Sequence, residues 1–108
     1  MNLLQQFNSD GVYTRYAVDE HPDDNGSFMH VHEQCEIYYF VSGDAEYLVE
    51  GARYPLKPGD ILIMRPAESH RNKMLGGRKY ERYVINFSLW VVDSIDPQRR
   101  LLKPFFGR

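Results

Sequence analysis

Residues 26–43 read GSFMHVHEQCEIYYFVSG, and this stretch carries several metal-ligating side chains at a defined spacing. Side chains two positions apart in an extended strand point to the same face, about 6.6 Å from each other along the chain. His30, His32 and Glu36 are all separated by even numbers of positions. The stretch therefore predicts that two imidazoles and one carboxylate point into a common cavity.

Two neutral imidazoles and a carboxylate suit a divalent transition metal such as zinc, nickel, manganese or iron, provided that a fourth ligand comes from elsewhere. His70 is the candidate for this fourth ligand. Two alternatives stay open, because the same groups could hydrogen-bond a polar ligand directly, or could be buried histidines satisfied by the backbone. We predict a metal-binding or ligand-binding role for His30, His32, Glu36 and His70.

The strand that follows the histidines is apolar on both faces. Tyr38 and Phe40 share the parity of Glu36, whereas Ile37 and Tyr39 face the other way. Both faces must then be covered, one as the wall of a pocket and the other by a packed layer or a second subunit. The alternative is that all of these residues are ordinary core. Cys35 is out of phase with Glu36, which predicts a small buried apolar role facing away from the cavity.

Composition limits what can surround such a site. With 108 residues, of which 43% are hydrophobic, the chain predicts one compact domain. The formal net charge of -2 gives no basic surface for nucleic acid, and the single cysteine excludes an internal disulfide. No apolar run approaches the roughly 18 residues of a membrane span, and the N-terminus lacks the pattern of a signal peptide. We expect a soluble, cytoplasmic protein that does not contact membranes.

Turn-forming residues recur at short intervals and divide the chain into short extended segments. The predicted strands are 11–20, 28–32, 36–41, 45–50, 53–57, 61–64, 70–75 and 80–88. Residues 1–10 are predicted to form an arm or a short edge strand. Within the last segment, Tyr80, Glu81 and Arg82 are expected to be paired on the surface. This pattern predicts an all-β antiparallel sandwich or barrel.

The C-terminal tail has a helical pattern. Asp96 and Pro97 suit an N-cap and a first helical position. The apolar residues that follow at helical spacing are Leu101, Leu102, Phe105 and Phe106. Since these side chains have no evident cover, we expect that the natural protein continues beyond them and that the chain self-associates, most simply as a homodimer.

Residues 59–70 read GDILIMRPAESH, and together with the histidine and glutamate pattern they resemble the two motifs of the cupin superfamily. The resemblance implies a double-stranded β-helix, or jelly-roll barrel. Arg65, Ala67 and Met74 depart from the second motif, which usually has proline, glycine and asparagine there. The alignment puts Arg65 at the rim of the pocket as a ligand-binding residue, with a solvated loop residue as the alternative.

A narrower resemblance covers about residues 10–90. The runs EIYYFVSGDAEYLVEGARYPLKPGDILIMRPAESHR and YERYVINFS resemble the N-terminal sensing domain of AraC/XylS-type bacterial transcription regulators. This likeness implies that residues 1–90 bind a small effector, often a carbohydrate, and that Tyr38 belongs to the ligand-binding set. It also implies that residues 91–108 are a helical tail leading to a DNA-binding domain absent from this chain, through which alone DNA is bound.

Two function classes follow from these patterns. The first is a ligand-sensing and dimerisation domain of a transcription regulator, without enzymatic activity. The second is a small metal-dependent cupin enzyme of the dioxygenase or isomerase type. The likeness that extends beyond the ligand residues favours the sensor.

Overall fold

The computed structural model describes residues 2–22, 30–31, 34–66, 68–98 and 100, and side chains throughout these except at residues 2–4, 30, 31 and 95. Strands make up most of this part of the chain, which confirms the all-β prediction. The strands are β1 (Asn2–Ser9), β2 (Val12–Asp19), β3 (His30–Val31), β4 (Cys35–Ser42), β5 (Ala45–Val49), β6 (Ala52–Pro55), β7 (Ile61–Met64), β8 (Ser69–Met74) and β9 (Tyr80–Phe87). One short helix, α1 (Leu89–Ile95), follows β9.

The strands form two antiparallel sheets. The first sheet has the order β1-β2-β9-β4-β7, and the second has the order β3-β8-β5-β6. Neighbours in these sheets are often distant in sequence, as expected for a jelly roll. The predicted N-terminal arm is the edge strand β1, and it spans eight residues rather than a short segment.

The main core lies between the two sheets. Its buried residues are Tyr38, Phe40, Ala45, Tyr47, Val49, Met64, Tyr80 and Val84. On β4, the side chains with the parity of Glu36 point into this core. The two-sided prediction for β4 is therefore confirmed, because Cys35 and Ile37 belong to a separate cluster on the outer face of the first sheet.

Helix α1 covers this outer cluster. Val92 and Leu89 pack against Cys35, which is fully buried, as predicted for a small apolar residue. The predicted helix start at Asp96 is wrong, since Asp96 is the C-cap of α1 and Pro97 and Gln98 form a turn. The apolar contact with the sheet outweighs the local capping signal, as is usual for short helices. Residues 101–108 lie outside the described part of the chain. Among the residues that the structure describes, no helix is long and apolar enough to cross a membrane.

Gly11 fixes the position of α1 on the sheet. It lies in the turn between β1 and β2 with φ +81°, and a Cβ atom there would lie 2.5 Å from the Trp90 ring and 2.6 Å from Val91 Cγ2. We expect Gly11→Ala to destabilise the chain by about 2 kcal/mol or more, because backbone strain and this clash add. Urea denaturation followed by circular dichroism measures the loss.

Gly51 provides the matched control. It also has φ +81°, but a Cβ atom there would meet nothing within 4 Å. Gly51→Ala therefore carries the backbone strain without the clash. Equal losses in the two variants would show that Gly11 does not position α1.

Candidate functional site

A polar cavity of about 380 Å³ lies between the two sheets. This volume is in the range of about 300–1,000 Å³ that is typical of small-molecule sites. The described residues that line it are Tyr13, Arg15, Gln34, Glu36, Tyr38, Tyr47, His70, Asn72, Tyr80, Arg82, Val84 and Asn86. Most of them carry a hydrogen-bonding group, so the cavity is suited to a polar ligand.

Strand register brings these residues together from distant parts of the sequence. On the inner face of the first sheet, two rows of cross-strand neighbours run over β2, β9 and β4. The first row is Tyr13, Asn86 and Glu36, and the second row is Arg15, Val84 and Tyr38. On the second sheet, Tyr47 lies opposite Asn72, and Val49 lies opposite His70. Since alternate residues of a strand face inward, β2, β4, β5 and β8 supply one or two residues each to the cavity, and β9 supplies four.

A hydrogen-bonded chain joins the two sheets across the cavity. The Tyr47 hydroxyl lies 3.2 Å from Glu36 Oε2 and 3.1 Å from His70 Nδ1. Asn86 Nδ2 donates to the other Glu36 oxygen at 3.0 Å. A phenol has one hydrogen to donate. All three groups are satisfied when His70 Nδ1–H donates to Tyr47 and Tyr47 donates to Glu36.

A second polar group is formed by two buried tyrosines. The hydroxyls of Tyr38 and Tyr80 are hydrogen-bonded to each other, and Asn72 Nδ2 donates to Tyr80 at 3.1 Å. Burial raises the pKa of Tyr38 and of Tyr80 above the ordinary tyrosine value. Burial, followed by the charge of Glu36, raises the pKa of Tyr47 well above that value. These hydroxyls therefore stay protonated near neutral pH, and the Tyr38–Tyr80 pair has one hydroxyl hydrogen left to donate to a ligand oxygen.

Two arginines contribute positive charge to the cavity. Arg82 Nη1 lies 2.8 Å from Asp19 Oδ2, and its guanidinium lies 4.2 Å from the centre of the Tyr80 ring. Burial alone would raise the pKa of Asp19, but hydrogen bonding and the charge of Arg82 prevail and lower it. Arg15 also lines the cavity, and its Nε is buried without a hydrogen-bond partner among the described residues.

The structure brings together part of the predicted ligand set. Glu36 and His70 are buried in the cavity and joined through Tyr47, although 34 positions separate them in sequence. The backbone of His30 lies opposite His70 in the β3–β8 pair. The His30 side chain and all of His32 lie outside the described part of the chain. Among the described residues no group of three metal-ligating side chains is found, so the four-ligand metal site stays a prediction.

Arg65 does not join this set. It lies in the loop between β7 and β8, where its backbone N–H and guanidinium both bind the Glu68 carboxylate. It is not among the described residues that line the cavity. A ligand-binding role for Arg65 at the pocket rim stays a prediction, and we leave Arg65 out of the proposed site.

Tyr80 and Arg82 show where the sequence reasoning was wrong. Both were expected on the surface, but their exposed fractions are 2% and 7%, and both line the cavity. Their parity is the signal that could have found them, because Tyr80, Arg82 and Val84 alternate with Glu81, which faces outward and binds Tyr16. Arg15, Tyr47 and Asn86 were missed because only cross-strand register places them beside Glu36.

A second concavity lies on the opposite side of the first sheet. It has a volume of about 630 Å³, and the residues that line it include Gln5, Phe7, Tyr16, Tyr83 and Ile85. We call it the outer groove. It is larger than the inner cavity, but the described residues that line it do not form the buried, mutually bonded polar groups that fix a small ligand. The inner cavity is therefore the better candidate for a small-molecule site.

These features define a class of protein, a cupin barrel with a polar cavity between its sheets. Solved structures of cupins share the fold. A cupin 2 conserved barrel domain protein from Salinispora arenicola is 21% identical, with a TM-score of 0.65, covering 90% of this chain and 82% of that chain. The Schizosaccharomyces pombe Cnp3 cupin domain is 11% identical, with a TM-score of 0.70, covering 90% and 75%. A putative mannose-6-phosphate isomerase from Ralstonia eutropha is 22% identical, with a TM-score of 0.67, covering 81% and 82%.

The family is shown by sequence. Residues 13–106 match the model of the AraC-like ligand binding domain, and the chain belongs to that family. A search of curated proteins finds no significant match. The family match spans the strands that build the cavity from β2 onward, so the sequence match points to a ligand-binding regulatory domain.

Proposed function

We propose that the cavity between the two sheets binds a small polar effector of carbohydrate-like chemistry. The observation that carries the proposal is the chain from His70 through Tyr47 to Glu36 and Asn86. It places hydrogen-bond donors and acceptors side by side in a buried space, as a molecule with several hydroxyl groups requires. Membership in the AraC-like ligand binding family supports an effector as the ligand.

A change that keeps the shape of the cavity tests this proposal. Glu36→Gln preserves the volume but replaces one acceptor oxygen with a donor. We expect at least a tenfold loss of affinity for any aldopentose or aldohexose that the chain binds, because Tyr47 and Asn86 donate to different oxygens of Glu36 and an amide keeps only one of them. Isothermal titration calorimetry with a panel of these sugars measures the change.

Glu81→Gln is the matched control. It makes the same chemical change on the outer face, where Glu81 accepts a hydrogen bond from Tyr16. Its affinity should stay within about threefold of the wild type. Equal losses in the two variants, or unchanged binding in Glu36→Gln, would remove the inner cavity as the effector site.

We propose that effector binding regulates transcription through a separate C-terminal DNA-binding domain. The net charge of -2 gives these 108 residues no electrostatic basis for DNA binding. A mobility-shift titration at low salt is expected to show no tight complex with the chain alone. The enzyme alternative predicts turnover by the metal-loaded chain, and a turnover screen separates it from the sensor.

We also propose that the chain self-associates as a homodimer through the β1 edge and the outer face beside it. β1 pairs only with β2 among the described strands, and its sequence NLLQQFNS contains no charged residue. Such an edge offers unpaired backbone groups, and an antiparallel edge is complementary to itself about a two-fold axis. Exposed apolar side chains on the same face are Phe7, Tyr39, Ile61, Tyr83 and Ile85.

Phe7→Glu tests this interface. Phe7 is 58% exposed at the sheet edge, so a charge there should not disturb the core but should raise the dissociation constant of the dimer at least tenfold. Sedimentation velocity over a concentration series measures it. Leu75→Glu is the control, because Leu75 is 57% exposed in the loop after β8. A monomer in the wild type, or equal effects of the two substitutions, would contradict the proposed interface.

A further inference from the structure

The charged groups of the cavity are not all paired among the described residues. Arg82 is neutralised by Asp19, and the Glu36 oxygens accept hydrogen bonds from Tyr47 and Asn86. Arg15 has neither an ion pair nor a hydrogen bond from its buried Nε in the part of the chain that the structure describes. A buried donor without a partner costs free energy that a ligand can recover.

Arg15 points toward the site already described. It lies on β2 opposite Val84, in the row that also contains Tyr38, one row from Glu36. Burial and Glu36 dominate the raised pKa of Tyr47, and the charge of Arg15 acts on the same hydroxyl in the opposite direction. The guanidinium is therefore close enough to the Glu36–Tyr47–His70 chain for one small molecule to reach both.

We propose that the effector is a hydroxy acid of monosaccharide size, a sugar acid, whose carboxylate binds Arg15 while its hydroxyl groups bind Glu36, Asn86 and the buried tyrosines. This inference rests on the proposed function and narrows its ligand class. The planar guanidinium presents paired N–H groups that match the two oxygens of a carboxylate.

A carboxylate fits the charges better than a phosphate. The cavity has one cation without an ion pair among the described residues, because Arg82 already has Asp19 as its partner. Glu36 in the same cavity adds negative charge, which disfavours a second ligand charge. The charges of Arg15 and Arg82 are matched in number by those of Asp19 and Glu36, so a singly charged anion that pairs with Arg15 adds less uncompensated charge than a phosphate would.

The experiment compares charged and neutral forms of one skeleton. Glucuronate and galacturonate, their methyl esters, and glucose and galactose are titrated by calorimetry into the wild-type chain, Arg15→Gln and Arg15→Lys. The acids are expected to bind roughly 10–100-fold more tightly than the esters and hexoses, as one charge-assisted interaction provides. In Arg15→Gln this preference should fall to about threefold or less, and in Arg15→Lys an intermediate preference should remain.

Arg78→Gln is the control for the loss of one positive charge. Arg78 is exposed and pairs with Asp44 at 3.6 Å, outside the cavity, so this variant should keep the full preference for acids. Hexoses binding as tightly as the acids, or an acid preference that survives in Arg15→Gln, would overturn the inference. Binding of a neutral sugar that is lost in Glu36→Gln would also overturn the sugar-acid inference, but it would support the proposed function. If none of these compounds binds, both the sugar-acid and the carbohydrate assignments are overturned.

Discussion

Arg82→Met is expected to lower the free energy of unfolding by about 2 kcal/mol, the typical contribution of a hydrogen bond between charged groups. Methionine keeps the volume of the side chain but leaves Asp19 without the guanidinium at 2.8 Å. It also removes the cation that lies over the Tyr80 ring. Urea denaturation at neutral pH, followed by circular dichroism, measures the loss.

The effect of Arg82→Met should depend on pH. The pKa of Asp19 is lowered in the folded chain, so its ionised form stabilises the fold at any pH above the ordinary value of about 4. That contribution is lost as the pH falls through the lowered pKa. The difference between wild type and variant should therefore be largest near neutral pH and shrink below about pH 4.

Arg78→Met is the control for this substitution. Arg78 and Asp44 lie 3.6 Å apart, with side-chain exposures of 69% and 43%. Exposed pairs of this kind contribute about 0–1 kcal/mol. A loss in Arg82→Met no larger than that in Arg78→Met, or one that is independent of pH, would show that the Arg82–Asp19 pair does not hold β2 against β9.

His70→Ala is expected to weaken effector binding by roughly 10–100-fold. The substitution removes the buried imidazole that meets the Tyr47 hydroxyl at 3.1 Å, and it opens a space beside Glu36 that water can enter. Calorimetric titration of the sugars and sugar acids measures the change. An affinity within threefold of the wild type would exclude His70 from the site.

Elemental analysis of the same proteins separates the two roles predicted for His70. The chain is purified without a metal-affinity column, and zinc, nickel, manganese and iron are measured in the wild type, His32→Ala and His70→Ala. One ion per wild-type chain that is lost in both variants supports the four-ligand site. Substoichiometric metal that neither substitution lowers contradicts it and leaves hydrogen bonding to the effector as the role.

The sequence predicted the strands well because turn residues and alternating side chains are local signals. Both ends of the strand Ile61–Met64 were predicted correctly. The prediction that both faces of β4 carry apolar side chains was also correct. A helical tail was predicted over residues 91–108 and α1 confirms a short helix there, but its start at Leu89 was not predicted, because contact between Val92 and Cys35 holds this helix and the local pattern does not contain that contact. The helix start at Asp96 was wrong for the same reason.

The site was predicted only where spacing or a motif marked it. Glu36 and His70 occupy positions of the sequence motifs. Arg15, Tyr47 and Asn86 belong to no such motif, and cross-strand pairing places them at the cavity. Arg15 lies opposite Val84, and Asn86 lies opposite Glu36, although Arg15 and Glu36 are each about 50 or more positions from their partners in sequence. Such pairings follow from the order of strands in the sheet, which a single sequence does not specify.

The most direct test of the inner cavity as the effector site follows side-chain amide signals by nuclear magnetic resonance while glucuronate, galacturonate and the parent hexoses are added. Asn72 and Asn86 line the inner cavity, whereas Gln5, which lies opposite Tyr16, lines the outer groove. We predict saturable shifts of the Asn72 and Asn86 amides, with that of Gln5 unchanged. A shift of the Gln5 amide with those of Asn72 and Asn86 unchanged would place the ligand on the outer groove and contradict the account.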